Sequence, residues 1–251
     1  MTKTEKNQGY RTADEMADRQ RVISVSEFFL MNRALRWYLA ALLVLSVGIL
    51  VAAWHYPGGY DWAYTVATAL AARKKNPAGS VWLAGALSLS MIMLWPCVSA
   101  LAQRLRASAT RATRFAIGAL RFGLVCFALV GVEGLLIRDL SSWIYKGHEI
   151  LALAGFLGMY LGILGLLAQL ILRQRLYVVP AFLVVSPLLA IGITQLWLYL
   201  AQRDLGWVGP DWREMGIPLW LSFAFWQWLA IGFLWVGLGL LALGRTRNQN
   251  V

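Results

Sequence analysis

Only two histidines occur in the chain, His55 and His148, and each stands where an apolar stretch meets a polar one. His55 closes the first apolar stretch and His148 opens the fourth, so a chain that crosses a membrane at each stretch brings both to one boundary. Asp61, Glu133, Arg138, Asp139 and Glu149 fall at that same level. No other part of the apolar region gathers so many ionisable side chains. Placing such a group in hydrocarbon is expensive, which makes it a functional candidate by default. Glu133 is the sharpest case, about one turn inside the third stretch. The plainer alternative is that Glu133 pairs with Arg138 or reaches back to water, and that the histidines are ordinary interfacial residues.

Three chemistries suit such a set. Two histidines with carboxylates resemble the donor set of a catalytic zinc, but no HExxH or comparable spacing accompanies them. A haem held between His55 and His148 needs both on facing helices, whereas His55 stands just before the turn-forming Pro57-Gly58-Gly59. The third chemistry is a polar pocket for a lipid headgroup. There His55, Asp61, Arg73, Lys74 and Arg138 bind the headgroup, the basic ones (with Lys75) facing phosphate and the carboxylates facing an amine or a sugar. Glu133, Asp139, His148 and Glu149 are then the candidates for any catalytic work. No GxSxG elbow, P-loop or GxGxxG turn is present, so no reaction type is assigned and no cofactor is specified.

The elements that must hold these residues are set by composition. Of 251 residues 59% are hydrophobic and 14% charged, with a mean hydropathy of +0.60. Soluble domains carry about a quarter charged residues. Crossing about 30 Å of hydrocarbon takes about 20 apolar residues. Residues 37–54, 80–101, 115–137, 149–172, 176–200 and 219–243 have that character, and each must be a helix because lipid offers the backbone no other partner. The expected fold is therefore an all-α bundle of six transmembrane helices over residues 34–244. Pro96, Pro180 and Pro187 fall inside three spans and predict kinks or early turns. Glycines at 155, 158, 162 and 165, and at 232, 237 and 239, suit close helix packing. Gln195 and Gln227 suit bridges between helices, and Arg121 is expected to snorkel.

Sixteen Lys and Arg side chains fall on one side of these spans and seven on the other. The basic side faces the cytoplasm, which puts both termini inside. Residues 1–33 form a cytoplasmic tail in which Val22, Ile23, Val25, Phe28, Phe29 and Leu30 outline an interfacial helix; residues 245–251 form a second tail. The longest outer loop is 55–79, with helix-forming potential at 61–75. Cys97 and Cys126 lie within apolar stretches and read as small packing residues. A net charge of +11 without interleaved aromatics points to anionic lipid rather than nucleic acid. Short loops and the absence of sorting signals point to a bacterial inner membrane.

One resemblance combines these features. The outer loop ends in Asn-Pro-Ala-Gly-Ser at 76–80, a very basic inner loop follows the second span, and the fourth span opens with His148-Glu149 before Ala152, Ala154 and Phe156. With six spans and this length, the chain resembles the DRAM/Sfk superfamily of six-helix membrane proteins, which includes proteins of GPI-anchor lipid remodelling and bacterial relatives. The likeness covers about residues 37–172. It departs in the outer loop, where Tyr64-Thr65-Val66-Ala67-Thr68 replaces a Pro-x-Ile-Ser-like stretch. It implies lipid handling on the outer side. Two other readings stand beside it: a non-catalytic subunit that stabilises other membrane subunits through tryptophan-rich faces, and a metal or haem protein using His55 and His148.

Overall fold

The computed structural model describes residues 32–106, 110–136, 142–173, 178–201 and 222–243. Seven helices and no strands occupy them. They are α1 (Asn32–Trp54), α2 (Ala67–Ala71), α3 (Ser80–Leu105), α4 (Arg111–Leu136), α5 (Ser142–Arg173), α6 (Val178–Ala201) and α7 (Phe223–Leu243). Five of them (α1, α3, α4, α5 and α7) are long and apolar enough to cross a membrane, the mark of a multi-pass membrane protein. Helix α6 is 24 residues long, and its recognised apolar stretch is the shorter Val178–Thr194. Residues 1–31 and 244–251, which hold the expected interfacial helix and the second tail, lie outside the described residues.

The faces of the helices differ in side-chain size more than in polarity. Helix α1 buries Ala34, Tyr38, Ala41, Leu45 and Ala52 and exposes Leu39, Leu43, Val47 and Leu50. Small residues turn inward, where backbones can approach, and large aliphatic ones turn outward, as suits a solvent of lipid tails. Exposed apolar rows of this extent would drive association in water. The interior is one cluster joining all six long helices, with Leu70 of α2 added at its edge.

Helices α4 and α5 form an antiparallel pair built on glycine. A Cβ added at Gly158 would sit 2.8 Å from Ala119 O and from Gly123 N, and one at Gly162 would sit 2.7 Å from Leu120 Cβ. Gly155 lies against Phe127 and Cys126, and Gly165 against Ala116. All four glycines expected to pack closely on α5 do so. On α7, Gly237 packs on Ile163 and Gly239 on the Tyr38 ring, whereas Gly232 faces open space. Cys97 and Cys126 are buried and unpaired, in keeping with a packing role.

Chain direction alternates, so the ends of the long helices gather in two sets. At one end the Tyr38 hydroxyl donates to Trp235 O (2.9 Å), and Arg104 of α3 donates to Leu241 O (2.6 Å) and Ala242 O (3.1 Å) of α7. Leu241 and Ala242 lie in the last turn of α7, where a guanidinium suits the negative end of the helix dipole. At the other end lie loop 55–79 and the starts of α3 and α7. Pro96 and Pro187 sit within continuous helix. Pro180 occupies the first turn of α6, where its missing N–H removes no intrahelical bond.

Replacing Gly158 by leucine forces backbone against backbone and should lower the thermal midpoint of the detergent-solubilised protein, at a cost of about 1–3 kcal/mol. Gly232→Leu, with open space around it, should leave the midpoint within experimental error. Equal behaviour of the two variants in a melting assay would contradict the close α4–α5 contact.

Candidate functional site

The glycine pairing sets the register that builds the one histidine–carboxylate contact among the described residues. Cys126 of α4 lies opposite Gly155 of α5. Seven residues, or about two helical turns, further along α4 is Glu133, and seven back along α5 is His148. Two antiparallel helices in this register must bring those positions together. They do: His148 Nδ1 lies 3.1 Å from Glu133 Oε2. A carboxylate can only accept, so the Nδ1 proton points at Glu133 and Nε2 is left for another partner. The side chains are 28% and 19% exposed, so the pair is reachable from outside the bundle. It stands near the loop 55–79 end, because neighbouring Gly134 packs on Ala84, one turn from the start of α3.

The other sequence candidates among the described residues are not drawn into this pair. His55 is exposed and its Nδ1 donates to Val51 O (2.8 Å), closing its own helix. Asp61 is exposed, and its Oδ1 accepts from Ala63 N (2.9 Å) and Tyr64 N (3.3 Å) as a local turn. Lys74 is exposed, whereas Arg73 is partly buried with Nη1 enclosed and without a hydrogen-bond partner. Arg138 and Asp139 lie outside the described residues, as does the side chain of Glu149. Among the described residues the partner of Glu133 is His148; the Glu133–Arg138 pairing weighed above involves a residue outside them. No three His, Cys, Asp or Glu side chains among the described residues come together as a metal site.

Loop 55–79 is held to the bundle by Asn76, whose importance side-chain chemistry alone does not announce. It is fully buried. Its Nδ2 donates to Ala52 O (2.8 Å) and Leu70 O (3.2 Å), and its Oδ1 accepts from Gly79 N (3.0 Å). One carboxamide thus ties the end of α1, helix α2 and the start of α3. Gly79 is required beside it: a Cβ there would strike the Asn76 amide and come within 2.6 Å of Ala52 O. The Asn-Pro-Ala-Gly-Ser stretch is a structural clasp. Gly58 and Gly59, with φ of 77° and 88°, make the turn out of α1.

Aromatic rings close the loop over α7. Tyr60 meets Trp62 edge-on at 4.8 Å, and Trp62 meets Trp228 at 5.1 Å. The Tyr60 hydroxyl donates to Thr65 O (2.7 Å) and accepts from Trp228 Nε1 (3.2 Å). Gln227 Oε1 accepts from Ala67 N (2.9 Å), the helix-to-helix bridge expected of it, and Ser222 Oγ donates to Ala63 O. Rings this close touch one another, so the cluster is a packed latch with no room for a ligand between them.

Comparison of the chain with known protein families, curated proteins and solved structures finds no match in any of the three.

Asn76→Ala should strand three buried backbone groups. At about 1 kcal/mol or more for each, the loss is about 3 kcal/mol, read as a lower melting midpoint and faster proteolysis within 55–79. Unchanged proteolysis would show that the clasp does not hold the loop.

Burial pushes the Tyr60 hydroxyl from 10.0 up to about 12, the Trp228 bond offsetting it only in part. A raised folded value means that this hydroxyl stabilises the fold fully below pH 10 and loses that contribution as pH climbs through about 12. Tyr60→Phe should therefore melt lower than the parent at pH 8, with the difference shrinking between pH 10 and 12. A constant gap across that range would remove the hydroxyl from the latch.

Proposed function

We propose that this protein handles a lipid (binding, remodelling or moving it) at the outer leaflet of a bacterial inner membrane, through the Glu133–His148 pair. In this reading all six long helices cross the membrane, both termini face the cytoplasm and loop 55–79 faces outward. The excess of Lys and Arg at the opposite end supports that orientation. One observation carries the functional reading: a histidine–carboxylate contact within lipid-facing helices, with both side chains partly exposed. An ionisable group among membrane helices is costly, and one that meets a ligand needs access. Glu133 offers a carboxylate to an amine or sugar hydroxyl, and His148 orients it. Arg73, with an enclosed η nitrogen lacking a partner, supplies the cation for a phosphate in the same leaflet. The resemblance to the DRAM/Sfk superfamily points in the same direction.

A second reading, a non-catalytic subunit of a larger membrane complex, draws on the exposure of Trp54 (86%) and Trp82 (58%) near the outer ends of α1 and α3. Interfacial tryptophans account for this equally well.

The test uses delipidated protein in detergent and phosphatidylethanolamine, a headgroup with one amine and one phosphate. Glu133→Gln and His148→Ala should each weaken lipid retention in native mass spectrometry by about tenfold, the worth of one charge-assisted hydrogen bond. Asp61→Asn, altering only a local turn, should retain the parent value. Retention unaltered in both Glu133→Gln and His148→Ala would sink the proposal.

A further inference from the structure

The end of the bundle opposite loop 55–79 carries a second feature, on α4. Arg111, Arg114, Gly118 and Arg121 recur at spacings of three, four and three. At 100° per residue they fall within one narrow strip of the helix. Arg111, Arg114 and Gly118 are exposed, and a Cβ added at Gly118 would meet nothing within 4 Å. The strip is therefore a basic ladder with a notch in its middle, open to the lipid.

Arg121 marks its upper limit. It lies ten residues beyond Arg111, about 15 Å along the axis and close to half the hydrocarbon thickness. Its guanidinium carbon is 5.6 Å from the centre of the Trp95 ring on α3, and its Nε is buried without a hydrogen-bond partner. Trp95 is itself partly exposed, so it walls one side of the strip. A cation at that depth requires an anion or water, and Trp95 supplies only the weak attraction of a ring face. Helical side chains lean toward the N-terminus of their helix, which directs Arg121 back toward Gly118 and Arg114. Among the described side chains the carboxylates are Asp61 and Glu133, and both belong to the other end of the bundle. No ion pair within the described residues involves the ladder.

We infer that this strip binds an anionic phospholipid of the leaflet facing the Arg111 end. Its phosphate lies over the Gly118 notch between Arg114 and Arg121, and an acyl chain runs on past Trp95 along the exposed Val125 and Leu129. A lipid is the occupant the geometry favours over a free phosphate: the notch is apolar, and the strip continues into the exposed Val125 and Leu129. This site is distinct from the Glu133–His148 pair and does not rest on its role.

The experiment presents delipidated full-length protein with phosphatidylglycerol and phosphatidylcholine in equal amounts and counts bound lipid by native mass spectrometry. The parent should retain phosphatidylglycerol preferentially. Arg114→Gln and Arg121→Gln should each reduce that retention about fivefold, the worth of one basic group at an anionic membrane surface. Arg121→Lys should keep most of it. Gly118→Leu fills open space at no folding cost and should displace the lipid with all charges in place. Equal retention of the two lipids by the parent would overturn the inference, as would unchanged retention in the Arg114→Gln, Arg121→Gln double variant. Displacement by millimolar inorganic phosphate, with Gly118→Leu behaving as the parent, would show a free-phosphate site instead and equally overturn it.

Discussion

The contact between the backbones of α4 and α5 is the constraint from which most of the rest follows. Lipid tails are as apolar as leucine, so the hydrophobic effect gives two membrane helices little reason to associate. Close packing and dispersion must do it, and both grow as the axes approach. Gly158 against Ala119 and Gly123, and Gly162 against Leu120, permit that approach. They also forbid sliding, since a shift of one residue would set a larger side chain against backbone. The register is thereby fixed along the whole pair. Two turns beyond Gly155 it delivers His148 to Glu133 without any further device.

A second constraint acts on the polar loop. Backbone groups that leave a helix near hydrocarbon need partners, and water reaches them poorly. Asn76 answers this with three bonds from one carboxamide, while Gly79 gives up its side chain so that the amide can fit. The Tyr60–Trp62–Trp228 latch then sets the loop against α7. Together they tie α1, α2, α3 and α7 at one end of the bundle, as Tyr38 and Arg104 tie α1 and α3 to α7 at the other. The α4–α5 pair is joined to this frame through α3, where Gly131 presses on Ser88 and Ala84. The ion pair is thus held by one packing system and the loop by another.

These constraints were legible in the sequence to different degrees. Apolar stretches mark the long helices to within a few residues at most ends, because length and hydropathy are properties of one segment alone. The close-packing glycines of α5 are legible from their spacing, whereas Gly232, similarly placed, faces open space, because spacing cannot tell a packed face from an open one. Glu133 and His148 are each legible as candidates, yet their pairing is not. It needs a register between two helices, and the clue lay in matching the α5 glycines to small residues on α4. The separation of His55 from that pair has the opposite cause. Shared depth in a membrane is a one-dimensional property, and side chains at one depth can stand on different sides of a bundle. Asn76 is legible only as part of a motif, since nothing in its type reveals that its partners lie at 52 and 70.

Charge distribution connects the two ends. The described acidic side chains, Asp61 and Glu133, lie toward loop 55–79, whereas Arg33, Arg36, Arg104, Arg106, Arg111, Arg114 and Arg121 lie at or toward the opposite end. Arg104 spends its charge on the carbonyls that end α7. No ion pair within the described residues involves the α4 arginines, and Arg121 rises well beyond the surface where basic residues ordinarily collect. A helix-stabilising role would favour leucine at that depth, and an orienting role is met by arginines nearer the boundary. What distinguishes Arg121 is the open notch three residues before it and the ring beside it. Those two features give a half-buried cation something to do that orientation alone does not require.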